Sequence, residues 1–400
     1  MKKLFFLSSI LPHQNYEWIK QNSKGPMSNA NDSFQRALIT GFIQNGVEVE
    51  LLNIPNIGAF PLNFNKIYSP EFFLNEEGGL KGYNFGFLNV NLIKHRFIYN
   101  ALEKFVKRKY EEIDYLIIYD LYLPFLEIAK LIKSKNKNTK IVLVIPDIYG
   151  FTGYSKNFFH KLLTNSEEEK IYKNLQWIDG FVLLTDKMKD KIPNFNHEKK
   201  SIVVEGILNP DILDVKEQEE QGSKKIILYS GAIEERHGII NLIEAFKKND
   251  IDAELHFYGD GSAKDKVIEA ALTIPQIKFF GQKTREEIIK KQKSAFLLVN
   301  PRTSDGEFTK YSFPSKVIEY FASGTPTLMY KLEGIPDKYY KYCFIPEDES
   351  VEELANSLHR ILLLNEYEME KKGKEAKKFI VQNKNCQFQT QKIIKLIKKI

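Results

Sequence analysis

Phe313-Pro314-Ser315-Lys316-Val317-Ile318-Glu319-Tyr320-Phe321-Ala322-Ser323-Gly324-Thr325-Pro326 reads as a helix start, a short amphipathic helix and a tight turn into a strand. Pro314 suits the first position of a helix, Ser315 a cap and Lys316 the first turn, which leaves backbone N–H groups and a positive dipole end facing the preceding segment. That arrangement fits a diphosphate. Glu319, one turn further in, is placed to accept hydrogen bonds from two adjacent hydroxyls such as a ribose diol. Gly324 ends the helix, and Thr327 to Met329 starts a strand. An ordinary helix-to-strand connection with a polar cap fits the same spacing equally well.

Outward from this segment, short apolar runs alternate with longer amphipathic stretches, the pattern of strands and crossover helices in parallel sheets. The pattern occurs twice. Strands are expected at Lys3–Ser8, Val47–Leu52, Tyr115–Tyr119, Lys140–Ile145, Gly180–Leu184 and Ser201–Glu205, and again at Lys225–Ser230, Glu254–Tyr258, Ile277–Phe280, Ala295–Val299 and Thr327–Met329. The polar stretch over residues 209–224 has no apolar periodicity and reads as a linker. The 400 residues exceed the usual size of one hydrophobic core, so two domains are expected, spanning 1–208 and 225–382. Two such sheets predict an α/β protein of doubly wound parallel-sheet domains facing a cleft, with ligand at the carboxyl ends of the strands.

Composition bounds the function. The chain is 43% hydrophobic and 13% aromatic, which fits a packed protein rather than a disordered one. Its net charge of +6 is too mild for its length to argue for nucleic acid, and no RNA-binding signature is present. Cys343 and Cys386 lack metal-ligand spacing and the density of a disulfide scaffold, which points to a cytoplasmic setting. The apolar N-terminus, Met1 to Pro12, reads as a buried strand rather than a signal peptide. No apolar run approaches the roughly 20 residues that span a bilayer. Cations do gather at Lys94-His95-Arg96, between Lys104 and Lys109, and between Lys130 and Lys140. Such a surface is a solvated face or a docking site for anionic lipid headgroups.

Several residues carry possible chemistry. Gly231 permits close backbone approach after a strand, and Arg236 and His237 stand where cations would meet a diphosphate, although a solvated basic turn has the same composition. Gly259 lies in a second glycine-rich turn. Arg302 and Lys310 lie at or beyond a strand end, each within reach of a phosphate or simply solvated. Tyr311 and Ser312 precede the helix. In the first half, Asp120, Asp147 and Glu205 end apolar strands; Asp147 is the preferred functional carboxylate, with local capping as its other reading. The long polar segment from Pro12 to Met27, with Gly25, and the following Ser28 to Ser33, with Asn29, could fold over a ligand as a lid or form a surface excursion.

In this order the elements resemble GT-B glycosyltransferases, and most of all the retaining enzymes of glycosyltransferase family 4 that build bacterial surface polysaccharides. The similarity is carried by Ser312 to Lys316, Glu319 and Gly324-Thr325-Pro326, with support from Ser230-Gly231 to Gly238, Tyr258 to Gly261 and Glu205-Gly206. The resemblance implies a nucleotide-sugar donor, most readily a UDP-sugar, on the second domain. It implies a glycan or lipid-linked acceptor on the first, and a helix over 383–400 that packs back on the first domain.

It also implies protein cations in place of a metal, no cofactor, and Asp147, Arg236 and Lys316 in catalysis. Gly231, His237, Gly259, Arg302, Tyr311, Ser312, Phe313, Pro314, Ser315 and Glu319 would hold the donor; Gly25, Asn29 and Asp120 would serve the acceptor or lid. Four positions, in three places, depart from the family pattern. Tyr311 stands where the first of two motif glutamates is expected, Ala232 and His237 replace an arginine and a lysine, and Pro146 replaces a histidine before Asp147. A nucleotide-sugar epimerase or hydrolase built on Asp120 and Asp147, and a non-catalytic nucleotide-sugar-binding subunit, are the competing readings.

Overall fold

A computed structural model of the protein describes residues 3–25, 27, 29–148, 158–193, 195, 200–216, 224–248 and 252–400. The chain divides into two compact units, one formed by Met1–Ile207 with Cys386–Ile400 and the other by Leu208–Asn385.

The first unit is built on strands β1 (Leu4–Ser8), β2 (Val49–Asn53), β3 (Tyr68–Ser69), β4 (Phe72–Glu76), β5 (Leu80–Asn84), β6 (Phe87–Leu88), β7 (Tyr115–Tyr119), β8 (Lys140–Ile145), β9 (Gly180–Leu183) and β10 (Lys200–Val203). Eight of them form one sheet in the order β10-β9-β8-β7-β1-β2-β5-β4, parallel except for the antiparallel β4–β5 pair. Strands β3 and β6 form a separate ribbon. The described helices are α1 (Tyr16–Asn22), α2 (Asn29–Gln44), α3 (Lys94–Lys109), α4 (Leu123–Lys135) and α5 (Phe158–Asn174). The central strands are buried along their length, as continuous apolar runs such as Leu4 to Leu7 and Ile141 to Ile145 require.

The second unit carries β11 (Lys225–Ser230), β12 (Ala253–Tyr258), β13 (Ile277–Phe279), β14 (Leu297–Asn300) and β15 (Thr327–Met329) in the order β13-β12-β11-β14-β15, all parallel. Its helices are α6 (Asp211–Asp214), α7 (Ile239–Lys248), α8 (Lys264–Thr273), α9 (Arg285–Ser294), α10 (Phe308–Tyr311), α11 (Ser315–Ser323), α12 (Val351–Leu362) and α13 (Glu366–Asn383). In each sheet the strand order reverses once, between β1 and β7 and between β11 and β14. Such a reversal opens a crevice at the carboxyl ends of the two strands, where open α/β sheets bind ligands.

The last helix, α14 (Cys386–Ile397), belongs to the first unit. Its Ile393, Leu396 and Ile397 are buried, and Asn45, just after α2, donates to the Gln387 carbonyl at 2.8 Å and to Thr390 Oγ1 at 2.9 Å. Gly41 of α2 lets the helices touch, since a Cβ there would lie 2.3 Å from the Cys386 carbonyl oxygen.

Three expectations change. The stretch 209–224 contains α6, with Ile212 buried against the second unit, so its described part is not an open linker; residues 217–223 lie outside the described residues. The polar segment after Pro12 contains α1, anchored by buried Ile19 and by Trp18 edge-on to Phe64 at 5.5 Å, where an irregular loop was expected; residues 26 and 28 lie outside the described residues. Gly25 is exposed beyond α1, and Asn29 begins α2, so most of the expected Ser28 to Ser33 excursion is helical.

Candidate functional site

The crevice at β11 and β14 collects most of the residues expected to hold the donor. β11 ends at Ser230, and Gly231 follows with φ of +135°, its N–H donating to the Tyr258 carbonyl at 2.9 Å. Any Cβ at 231 would lie 2.2 Å from Lys316 Cε and 2.5 Å from its Nζ. Glycine is what admits the lysine. The neighbouring turn crosses equally close, since a Cβ on Gly259 would sit 1.9 Å from the Gly231 oxygen.

Lys316 is the centre of the cluster. Its Nζ donates to the Tyr229 hydroxyl and lies 4.0 Å from the centroid of that ring, while the hydroxyl donates to the Ala232 carbonyl at 2.6 Å. Burial, reinforced by the Arg302 charge against the pull of Glu319 and Glu234, brings the ammonium down to about 7. An anionic group entering here would restore its proton.

Arg302 is buried after β14. It donates to Ser312 Oγ at 2.8 Å and stacks on Phe308 at 4.6 Å, and Ser312 Oγ in turn donates to the Phe308 carbonyl at 2.9 Å. α10 therefore holds both the guanidinium and the serine.

α11 starts with Pro314 as its N-cap, and no side chain caps it. Ser315 is thus the first helical residue rather than the cap. The reason is local: Pro314 takes an extended conformation (φ −68°, ψ 110°), and its carbonyl accepts the Val317 N–H at 3.0 Å. Val317, Ile318, Tyr320, Phe321 and Ala322 face the core, which turns Ser315, Lys316 and Glu319 the other way. Phe313 is buried against Tyr339 at 5.3 Å and fixes the approach to the helix. Tyr320 ties α11 to β11: its hydroxyl accepts the Ser230 N–H at 3.0 Å and donates to the Ser230 carbonyl at 3.2 Å. Gln292 of α9 adds a bond to Ser230 Oγ at 3.0 Å.

Other expected cations are engaged differently. His237 Nδ1 lies 3.0 Å from the Ala232 carbonyl, and burial together with the Lys316 and Arg302 charges lowers its pKa to about 4. The ring is neutral near pH 7, with the proton on Nδ1 and Nε2 left as acceptor, so it is not the cation its position suggested. Arg236 pairs with Glu234 at 2.7 Å and faces Phe308 at 5.8 Å. Lys310 pairs with Glu333 at 3.1 Å. Glu319 meets Arg285 Nη1 at 3.1 Å, a partner that local spacing could not reveal. Tyr311 is buried in α10, and Glu307 is exposed at the start of that helix.

The first unit has its own crevice, at β1 and β7, and its chemistry is acidic. Asp120 directly follows β7 with φ of +80°, a conformation that few non-glycine residues adopt, and its Oδ1 accepts the Leu121 N–H at 2.6 Å. Burial raises its carboxyl pKa. Asp147 follows β8, and residues 149–157 beyond it lie outside the described residues. Burial, then the charges of Asp120, Asp147 and Asp32, pushes the Tyr119 hydroxyl well above its usual range, and the hydroxyl donates to Asn31 Oδ1 at 3.4 Å. Nearby, Arg36 binds Asp32 at 2.9 Å, Glu76 at 2.6 Å and the Leu11 carbonyl at 2.7 Å. Glu205 is buried after β10.

Residues 212–396 match the family described as glycosyl transferases group 1. No curated protein matches the sequence. Among solved structures, the fold is similar to sucrose-phosphate synthase from Thermosynechococcus elongatus (14% identity, TM-score 0.67, covering 100% of this chain and 99% of that one). It is also similar to HepE from Anabaena in complex with UDP (13% identity, TM-score 0.59, 100% of both chains). A third similar structure is a TarM variant from S. aureus in complex with fondaparinux, alpha-GlcNAc-glycerol and UDP (14% identity, TM-score 0.61, 99% of this chain and 100% of that one). The chain has the GT-B fold of two Rossmann-like units, and its second half carries the sequence pattern of the glycosyl transferases group 1.

Proposed function

We propose that the protein is a retaining glycosyltransferase that moves a sugar from a nucleoside diphosphate sugar to a hydroxyl of a glycan or lipid-linked acceptor in surface polysaccharide synthesis. The observation that carries this reading is the meeting of Lys316, Arg302 and the uncapped start of α11 over Gly231, at the point where the sheet order reverses. UDP is the first nucleotide to test, because two of the similar structures hold it.

As the glycosidic bond breaks, negative charge grows on the leaving diphosphate. Lys316, Arg302 and the first N–H groups of α11 would stabilise that charge more in the transition state than in the ground state. These cations take the part a divalent ion plays elsewhere, so the reaction proceeds without added metal. Glu319 would accept the ribose hydroxyls, giving up part of its bond to Arg285. Asp147 would orient the acceptor side.

A second reading, a nucleotide-sugar-binding subunit with slow turnover, rests on Tyr311, whose buried phenol stands where a carboxylate would meet the sugar hydroxyls. Incubation with UDP-, GDP- and ADP-sugars, with and without EDTA, separates the two. Release of one nucleoside diphosphate, undiminished by EDTA and increased by an acceptor glycan, supports the transferase. Tight binding without release supports the subunit, and neither binding nor release would overturn both.

A further inference from the structure

The first unit also exposes a group of large apolar side chains around the start of α3, where His95 packs on Tyr122 two residues beyond Asp120. Leu92 is 88% exposed, Leu62 62%, Ile93 44% and Phe97 38%. Two turns bring them together. The Asn91 N–H donates to the Phe60 carbonyl at 2.9 Å and the Phe60 N–H to the Asn89 carbonyl at 2.8 Å, which ties the turn at 59–63, with Leu62 in it, to the start of α3. Lys94 Nζ secures the same junction from below by donating to the Ile57 carbonyl at 2.5 Å. Leu92 is held out at φ of +69°, in the left-handed region that a branched residue rarely adopts.

The group continues into a cationic helix face. Ile98, Leu102 and Val106 bury one side of α3. On the other, Ile93, Phe97, Lys104 and Lys107 follow one another at helical spacing, flanked by exposed Arg96 and Arg108. Lys24, exposed at the far side of the turn, donates to the Pro61 carbonyl at 2.6 Å. Acids border the same helix: Glu103 pairs with Lys107 at 3.2 Å, Glu167 lies 3.5 Å from His95 Nδ1, and Glu112 pairs with Lys109 at 2.5 Å. Apolar tips at one end and a run of cations along the axis match the two layers of an anionic bilayer surface, acyl chains beneath and phosphates above. Among the described residues no helix is long and apolar enough to cross a membrane, so attachment here is superficial.

We propose that the 59–63 turn and the exposed face of α3 form a docking surface for anionic lipid bilayers, with Leu62, Leu92, Ile93 and Phe97 inserted and Arg96, Lys104 and Arg108 on the headgroups. The proposal stands apart from the donor site and does not depend on glycosyl transfer. Cys343 and Cys386 are both buried, which allows a selective probe.

Leu92→Cys, labelled with an environment-sensitive fluorophore, is mixed with vesicles of phosphatidylcholine alone or with about 30% phosphatidylglycerol. The expected result is a blue shift with the anionic vesicles only, reversed by high salt, and no shift for the same label at Leu272→Cys in the second unit. In sedimentation with the same vesicles, Leu62→Ser/Leu92→Ser/Phe97→Ser lowers recovery about tenfold while keeping the wild-type circular dichroism. Unchanged emission, or equal recovery of the triple variant, would overturn the proposal. So would a concentration-dependent dimer lost in the triple variant, since the patch would then serve a second copy.

Discussion

The two sheets reverse their strand order in the same way, yet the crevices they open are electrostatic opposites. At β11 and β14 the chain sets Lys316 and Arg302 around two glycines. At β1 and β7 the charges of Asp32, Asp120 and Asp147 act on the buried Tyr119 phenol, and Arg36 compensates part of that charge through its pair with Asp32. The fold supplies the position, and the side chains supply the sign. A cationic crevice favours phosphate; an acidic one favours hydroxyls, which donate to carboxylates. Under the proposed function, the difference would place the donor on the second unit and the acceptor on the first by chemistry rather than by fold, because one architecture serves many functions.

The strongest break of this contrast is Arg36→Leu. It leaves Glu76, whose side chain is 4% exposed, without its guanidinium, and should cost about 3 kcal/mol in chemical denaturation. A loss under about 1 kcal/mol would mean that the acidic crevice needs no compensation. Next comes Asp147→Asn, expected to lower transfer by about a hundredfold while leaving nucleotide affinity unchanged. Equal losses in both would place Asp147 in folding rather than chemistry.

Lys316→Met should weaken UDP binding by about thirtyfold, a loss of about 2 kcal/mol from one charge-assisted contact, as read by calorimetry. The mildest effect is on pH. With the free ammonium near 7 and its pKa raised by bound diphosphate, binding takes up a proton above pH 7. Affinity should therefore fall as pH rises from 7 to 9, by at most about tenfold per unit, and the dependence should vanish in Lys316→Met.

Much of the fold was legible because its central strands are buried on both faces. Such strands appear as unbroken apolar runs, and Tyr115–Tyr119, Lys140–Ile145 and Lys225–Ser230 emerge with their expected limits. β4 and β5 were missed because Phe72 to Asn84 alternates exposed and buried positions over short segments, with Gly78 and Gly79 at its turn. α1 was missed because it buries only Ile19, too little for a periodic signal.

The candidate site was legible as a motif and not as a network. The Lys316, Glu319 and Gly231 positions followed from local spacing, whereas Arg285 beside Glu319, Tyr229 beneath Lys316 and Phe308 beneath Arg302 are contacts across the chain. His237 is the instructive error. Its position suggested a cation, but burial, helped by the Lys316 and Arg302 charges, lowers its pKa and favours the neutral ring.

The central claim, that the cationic crevice of the second unit is a nucleoside diphosphate site, is tested most directly by calorimetric titration of UDP, GDP and ADP into the wild type, Glu319→Ala and Asp147→Asn. The account predicts saturable binding of one nucleotide, weakened about tenfold by Glu319→Ala through loss of the ribose contacts and unaffected by Asp147→Asn. Absence of binding for all three, or binding that Glu319→Ala leaves intact and Asp147→Asn abolishes, would contradict it.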